Sequence, residues 1–212
     1  MGTAGDLRER FRALPNEQRE AHQDYAIRLW RGISWLQRAE EQDPGDWEGR
    51  FINAWIAFNA LYGKLDPDGF PEGDRAAFGE FLAGVWDLDG EGRIRRVLGK
   101  HENRVLKLIE SKYLSAGFWR EGDAVEPRVR QHVREALARF GTLRVLRTLF
   151  DRLYVMRLQI FHGASTKGSK LNRRTLQSCG IVLLDLLPAM TQTMLDHGID
   201  HDWGAVCYPP RG

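Results

Sequence analysis

The spacing of apolar residues along the chain is that of amphipathic α-helices. Residues 17–42 place apolar side chains three and four positions apart, at Tyr25, Leu29, Ile33 and Leu36. The segment RFINAWIAFNALYG, residues 50–63, carries a stripe of aromatic and aliphatic side chains with the same period. Asp46 is the predicted N-cap of this second helix, and Gly63 is predicted to end it as a C′ residue.

The same periodicity predicts five further helices, near residues 74–87, 93–113, 127–139, 142–162 and 172–197. Two stretches between them, LDPDGFPEGD and SAGFWREGDAVEP, are predicted loops because of their Pro, Gly and Asp content. No alternation of apolar and polar residues is long enough to predict a strand. We therefore expect an all-α protein, a single-domain helical bundle of about six or seven helices that spans residues 1–212.

Composition agrees with a folded chain and sets its expected location. Apolar residues make up 42% of the chain, which is enough to build a core. Residues 1–20 are charged and lack the apolar stretch of a signal peptide. The longest apolar run, GIVLLDLLPAM, contains an Asp and a Pro and is shorter than a membrane span. Because Cys179 and Cys207 also lack metal-binding spacing, we expect a cytoplasmic protein with no membrane partner.

Charge is distributed unevenly along the chain. Residues 1–90 contain 10 Lys and Arg against 17 Asp and Glu, residues 91–174 contain 20 against 8, and residues 175–212 contain 1 against 4. The middle segment therefore has a net charge of +12 in a chain whose total is +2. Such a segment favours contact with a polyanion such as RNA. The alternative interpretation is that these charges only solvate the faces of several helices.

The stretch VMRLQIFHGAST, residues 155–166, places an arginine inside an apolar helix. The helix has a seam with intervals of three and four, formed by Leu143, Leu146, Phe150, Leu153, Arg157 and Ile160. A guanidinium buried in this seam needs a carboxylate partner or a ligand. His162 follows five residues later, about 140° around the helix. Arg157 and His162 therefore converge only if the helix ends at Gly163, or if a second copy packs against it by two-fold symmetry.

An arginine and a histidine together are sufficient for RNA cleavage. Histidine takes and gives a proton near neutral pH, and arginine binds phosphate oxygens through a permanently charged fork. They support attack of a ribose 2′-hydroxyl on the adjacent phosphate without a metal. Arg157 and His162 are therefore the candidate catalytic residues, and no cofactor is expected. The alternative is a structural role for both, which is common for an Arg and a His at this spacing.

The segment RLQIFHG resembles the R-x4-6-H motif of HEPN domains (higher eukaryotes and prokaryotes nucleotide-binding), with Arg157 and His162 at the motif positions. RFINAWIAFNALYG is similar to the aromatic-rich early helix of HEPN-like families, and the resemblance covers about residues 47–197. It implies an α-helical homodimer that is a metal-independent endoribonuclease of a toxin–antitoxin or phage-defence system, with a cognate antitoxin or another partner protein. The family usually has a polar residue after the motif arginine, where this chain has Leu158. Some HEPN proteins are non-catalytic, so the resemblance also allows a binding or scaffold module for RNA or a protein.

Several polar residues are candidates for substrate binding. Asn59, on the aromatic helix, either lines the site or satisfies a buried backbone group. Gln159 either reaches the substrate or lies on the helix surface. The segment after the histidine and the start of the next helix offer phosphate partners, namely Ser165, Thr166, Lys167, Lys170, Arg173 and Arg174. Their alternative interpretation is a solvated loop followed by an ordinary helix start.

The C-terminal stretch DHGIDHDWG imitates a metal-binding cluster. His197 and His201 are four residues apart, and the acidic residues beside them are Asp196, Asp200 and Asp202. Gly198 is predicted to break the helix that would align the two histidines. We therefore expect no metal site.

Overall fold

The computed structural model describes residues 2–121, 142–164 and 173–209, and these are predominantly α-helical. The helices are α1 (Ala4–Ala13), α2 (Asn16–Ala21), α3 (Gln23–Glu40), α4 (Trp47–Tyr62), α5 (Asp74–Leu88), α6 (Arg93–Lys100), α7 (Glu102–Glu110), α8 (Ala116–Glu121), α9 (Leu143–Phe161) and α10 (Arg173–His197). A 3₁₀ turn, Lys112–Leu114, follows α7. Within the described ranges the only β-type pairings are two isolated bridges, Lys64 with Val206 and Leu65 with Pro71. The all-α prediction is confirmed.

The contacts within the chain define two compact units. The first unit comprises Met1–Ile94 and Leu183–Gly212, and the second unit comprises Arg95–Val182. The dividing points fall inside α6 and α10, so each of these helices contributes residues to both units. The basic segment recognised in the sequence nearly coincides with the second unit.

The core of the first unit is aromatic and is centred on α4. α3 packs against α1, α2 and α4, and α4 packs against α5. The predicted stripe on residues 50–63 lies in this core, where the ring of Phe58 is 4.7 Å from that of Tyr62 and 5.8 Å from that of Phe81. Asp46 is confirmed as the N-cap of α4, because its carboxylate accepts a hydrogen bond of 2.9 Å from the Gly49 N–H. The stripe and its cap together orient α4 with its aromatic face inward.

A buried cation lies at the end of α4. Gly63 follows α4, in agreement with the predicted helix end, and has φ −58°. The fully buried Arg28 of α3 donates from Nη1 to the carbonyls of Leu61 (2.7 Å) and Gly63 (2.8 Å). Its Nη2 donates to the carbonyls of Trp203 and Gly204, both at 3.0 Å. Burial lowers the pKa of Arg28 to about 10, which leaves it cationic at neutral pH.

In the second unit α9 packs against α7 and the 3₁₀ turn, and here too an arginine is buried. Arg152 is 8% exposed, and it donates from Nε to the Ile109 carbonyl and from Nη1 to the Leu114 carbonyl, each at 3.1 Å. Burial lowers the pKa of Arg152. The seam predicted on this helix placed Arg157 inside, but Arg157 is only partly buried. The buried side chains in this part of α9 are those of Arg152, Leu153, Val155 and Met156.

Several helix boundaries depart from the sequence pattern. α1 was not predicted, although Thr3 and Asp6 form a capping box at its start. The helix predicted at 17–42 is divided at His22, and the one predicted at 93–113 is divided at His101. α8 lies in a segment predicted as loop. These breaks raise the number of helices above the six or seven expected. The helix predicted at 127–139 lies outside the described residues.

α10 is the described helix that is long and apolar enough to cross a membrane. It continues through Pro188, and 67% of its most apolar window is buried inside the protein. A buried core helix has the same length and composition, so these two properties carry little weight for membrane insertion. The cytoplasmic location stays a prediction.

Arg28→Met should lower the free energy of unfolding by about 3–5 kcal/mol, because it leaves four backbone carbonyls without their donor. Urea denaturation followed by circular dichroism measures the loss. Arg31→Met is the matched control: its guanidinium donates to the carbonyls of Cys207 (2.8 Å) and Tyr208 (2.6 Å) near the surface, where water replaces it. The control should lose about 1 kcal/mol or less. Equal losses would contradict a special role for Arg28.

Candidate functional site

The candidate motif lies at the C-terminal end of α9, where a glycine stops the helix. Gly163 has φ +64°, and its N–H donates to the Ile160 carbonyl at 3.1 Å. The Ala164 N–H donates to the Gln159 carbonyl at 2.8 Å. These two hydrogen bonds define a Schellman motif, which satisfies the last carbonyls of the helix. The predicted stop at His162 and Gly163 is confirmed, and it leaves His162 exposed as the C-cap residue.

Arg157 is held by aromatic rings rather than by a carboxylate. Its guanidinium carbon lies 4.7 Å from the centre of the Phe161 ring and 5.8 Å from that of Tyr154. Its Nε is buried and has no hydrogen-bond partner within residues 2–121, 142–164 and 173–209, and no ion pair there includes it. Contact with Phe161, one turn further along, draws the guanidinium towards the end of α9 that carries His162.

Phe161 is a surface residue that the sequence analysis did not single out. Its side chain is 51% exposed, although it packs under the Arg157 guanidinium and directly precedes His162. The end of α9 therefore presents a cation, an aromatic ring and an imidazole from neighbouring positions. Sequence periodicity alone gave no signal for this, because a phenylalanine at the end of an apolar helix is expected in the core.

The predicted substrate-binding residues have different surroundings. Gln159 donates from Nε2 to the Tyr113 carbonyl at 2.7 Å, so its amide ties α9 to the 3₁₀ turn. Arg173 and Arg174 are exposed in the first turn of α10. The remaining four, Ser165, Thr166, Lys167 and Lys170, lie outside the described residues. Substrate binding by any of these residues stays a prediction.

Asn59 belongs to the first unit, on α4. Its Oδ1 is buried and has no hydrogen-bond partner among the described residues. The backbone carbonyl of Asn59 accepts from the Gly63 N–H at 2.7 Å and so helps to end the helix. A structural role for Asn59 predicts that its side chain bonds to a buried backbone group. The Oδ1 atom makes no such bond to the described residues.

A cleft of about 600 Å³ lies within the second unit, and sequence reasoning did not predict it. It is formed at the junction of α6 and α7, along α7, and at the start of α10, with lining side chains that include Lys100, His101, Arg104, Lys107, Arg174 and Ser178. Arg174 is thus the one predicted phosphate partner that lines a described cavity. The cleft depends on the break at His101, which the pattern of residues 93–113 did not indicate.

The charge of the second unit favours anionic ligands. Residues 95–182 contain 19 Lys and Arg against 7 Asp and Glu, a net charge of +12, and the remainder of the chain has a net charge of −10. A compact unit with this excess attracts polyanions over distances set by the ionic strength. The basic segment noted in the sequence is therefore one structural unit rather than charge spread over the whole chain.

The structure separates the two histidines of the stretch DHGIDHDWG: His197 lies near Asp196 and Glu91, and His201 lies near Trp203. Glu91, Asp196 and His197 bring possible ligand atoms within 4.8 Å of one another. The Asp196 carboxylate, however, accepts hydrogen bonds from Arg10 and Arg93. His201 packs against the Trp203 ring, with ring centres 4.3 Å apart. Because two arginines already neutralise the central carboxylate, this group is poorly suited to a cation.

Comparisons of the chain with protein-family models, with curated proteins and with solved structures found no match.

Gly163→Ala should destabilise the protein by about 1–2 kcal/mol, because an alanine is strained in the left-handed conformation that ends α9. Thermal unfolding followed by circular dichroism provides the measurement. Gly79→Ala is the matched control: Gly79 lies inside α5, where an added Cβ meets nothing within 4 Å. The control should be neutral or more stable by about 1 kcal/mol. A stabilising Gly163→Ala would show that the left-handed residue is not required.

Proposed function

We propose that the protein is a metal-independent endoribonuclease whose site lies at the C-terminal end of α9. The observation that carries the proposal is the exposed His162 at a glycine-stopped helix end, with the Arg157 guanidinium over the ring of Phe161, the residue directly before His162. The resemblance of RLQIFHG to the HEPN motif and the +12 charge of the second unit also support it. A toxin–antitoxin or phage-defence role, a cognate antitoxin or partner protein, and a cytoplasmic location follow from the same proposal.

Each residue at the end of α9 has a chemical role in this proposal. His162 takes the proton of a ribose 2′-hydroxyl as the bond from the 2′ oxygen to phosphorus forms. Arg157 stabilises the negative charge that develops on the phosphate oxygens. The bond from phosphorus to the 5′ oxygen breaks, and that oxygen takes up a proton. The exposed ring of Phe161 offers a surface on which an unpaired base stacks.

The second candidate function is a non-catalytic RNA-binding or scaffold module. Leu158 favours it, because the family usually has a polar residue directly after the motif arginine. This module would use the same basic unit and the same exposed aromatic ring. It differs from the ribonuclease only in lacking cleavage, so an activity assay separates the two.

Purified protein should cleave a total RNA pool in the presence of EDTA and leave 2′,3′-cyclic phosphate and 5′-hydroxyl ends. His162→Ala and Arg157→Ala should each reduce the rate by at least about 100-fold. Gel electrophoresis with end-group analysis measures both outcomes. Arg144→Ala, which removes a cation from the exposed start of the same helix, and His197→Ala are the matched controls and should retain activity. Cleavage lost in EDTA and restored by a divalent ion would contradict the metal-independent mechanism.

We propose a two-fold homodimer as the active assembly. A spacing of five residues corresponds to about 140° around an α-helix, so one straight helix does not aim the side chains of Arg157 and His162 at the same point. A symmetric partner brings Arg157 of one protomer to His162 of the other, because an isologous interface repeats every contact. The exposed Phe161 gives this end of α9 an apolar surface to bury in such an interface.

Light scattering at micromolar concentration should give twice the chain mass of 24.3 kDa. Mixing inactive Arg157→Ala and His162→Ala chains should restore up to about a quarter of the wild-type activity, because half of the dimers then contain one intact shared site out of two. Each variant mixed with itself is the control. A monomer that cleaves RNA would overturn the shared site.

A further inference from the structure

We propose that the cleft of the second unit binds the phosphate groups of a single-stranded RNA. The inference deepens the proposed function, on which it rests for the identity of the ligand. The cleft has about 600 Å³, a volume typical of ligand sites, and most of its lining residues lie on α6, α7 and α10. All of its lining residues belong to the second unit.

The charge of the cleft wall selects an anion. Four cationic side chains line it, and they are Lys100, Arg104, Lys107 and Arg174. The only carboxylate among the lining residues is that of Glu102. No ion pair among the described residues includes Arg104, Lys107 or Arg174. Four cations face one carboxylate in this lining, so the cations repel one another, and a bound phosphate relieves that repulsion.

The position of Arg104 is fixed from beneath. His101 is 8% exposed, and its Nδ1 lies 3.1 Å from Nη1 of Arg104. Because a guanidinium only donates hydrogen bonds, Nδ1 is the acceptor. His101 also occupies the N-cap position of α7, where its side chain makes no capping bond. The imidazole therefore restrains the Arg104 guanidinium at the cleft, and the N-terminus of α7, with its partial positive charge, lies at the same junction.

The arrangement fits a strand of RNA better than a single phosphate. Arg104 and Lys107 are three residues apart on α7, so they lie on one face of the helix with their Cβ atoms about 5–6 Å apart. Hydroxyls of Ser111, Thr175 and Ser178 also line the cleft. A row of cations with interspersed hydroxyls tracks a phosphate backbone without reading its sequence.

The test measures RNA binding by fluorescence anisotropy, with a labelled single strand of about 20 nucleotides. The protein carries His162→Ala, and EDTA is present, so that the RNA stays intact. Lys107→Gln combined with Arg174→Gln should weaken binding at least about 10-fold, and the slope of log affinity against log salt should fall by about 1.4 for two lost contacts. Both residues are exposed, so the fold should persist. Arg104→Lys keeps the charge but loses the fork, and it should weaken binding a few-fold.

Arg144→Gln combined with Arg147→Gln is the control matched in charge, because both residues are exposed on α9 of the same unit. This control should leave the affinity for RNA nearly unchanged. A loss of affinity equal to that of the cleft variant would show that only the total charge of the protein matters, and would overturn the site. Inorganic phosphate or AMP at millimolar concentration should compete weakly, and full displacement of the RNA by either would assign the cleft to a small phosphate ligand instead. Cleft-dependent binding in a protein that never cleaves RNA would support this site while contradicting the ribonuclease. Cleavage with binding indifferent to the cleft variants would do the reverse.

Discussion

The first unit depends on a single guanidinium placed where an apolar side chain would be expected. Arg28 is fully buried and donates hydrogen bonds to four backbone carbonyls. Two of them, those of Leu61 and Gly63, lie at the end of α4, and two, those of Trp203 and Gly204, lie in the segment after α10. These carbonyls belong to segments far apart in sequence, so each would otherwise need its own donor. One planar fork satisfies all four and thereby joins the end of the aromatic helix to the chain terminus. Gly63, which follows α4 with φ −58°, presents its carbonyl to the same guanidinium.

Three arginines on apolar helices show why sequence alone assigns such residues poorly. Arg28 and Arg152 are buried against backbone carbonyls, whereas Arg157 lies over the Phe161 ring and reaches the surface. All three interrupt apolar patterns in the same way. A carbonyl partner leaves no trace in the sequence, since every residue has one. The interpretation that a buried arginine requires a carboxylate or a ligand is therefore too narrow. Backbone carbonyls that have no donor within a helix serve equally well as partners.

The features that could be predicted from sequence are those set by local chemistry. Asp46 caps α4 because a carboxylate reaches the first N–H groups, and Gly163 ends α9 because only glycine adopts its conformation without strain. The break at His101 could not be predicted, because the helical spacing of apolar residues in 93–113 continues across it. The cleft could not be predicted either, since it is formed at the turn between α6 and α7. The sequence motif indicated Arg157 and His162 at the end of α9. It did not indicate that Phe161 is exposed, because that depends on which face of α9 is buried.

The net positive charge of the second unit opposes its compact state and favours a bound polyanion. α6, α7 and α9 contribute apolar side chains to the core, and the buried Arg152 of α9 donates to backbone carbonyls. The net charge of +12 in the second unit raises the free energy of the compact unit through mutual repulsion. A polyanion that binds the folded unit lowers that energy and stabilises the fold by mass action. Stability and RNA binding would then be linked in this unit, and the same arginines that weaken the free protein would provide the affinity of the complex.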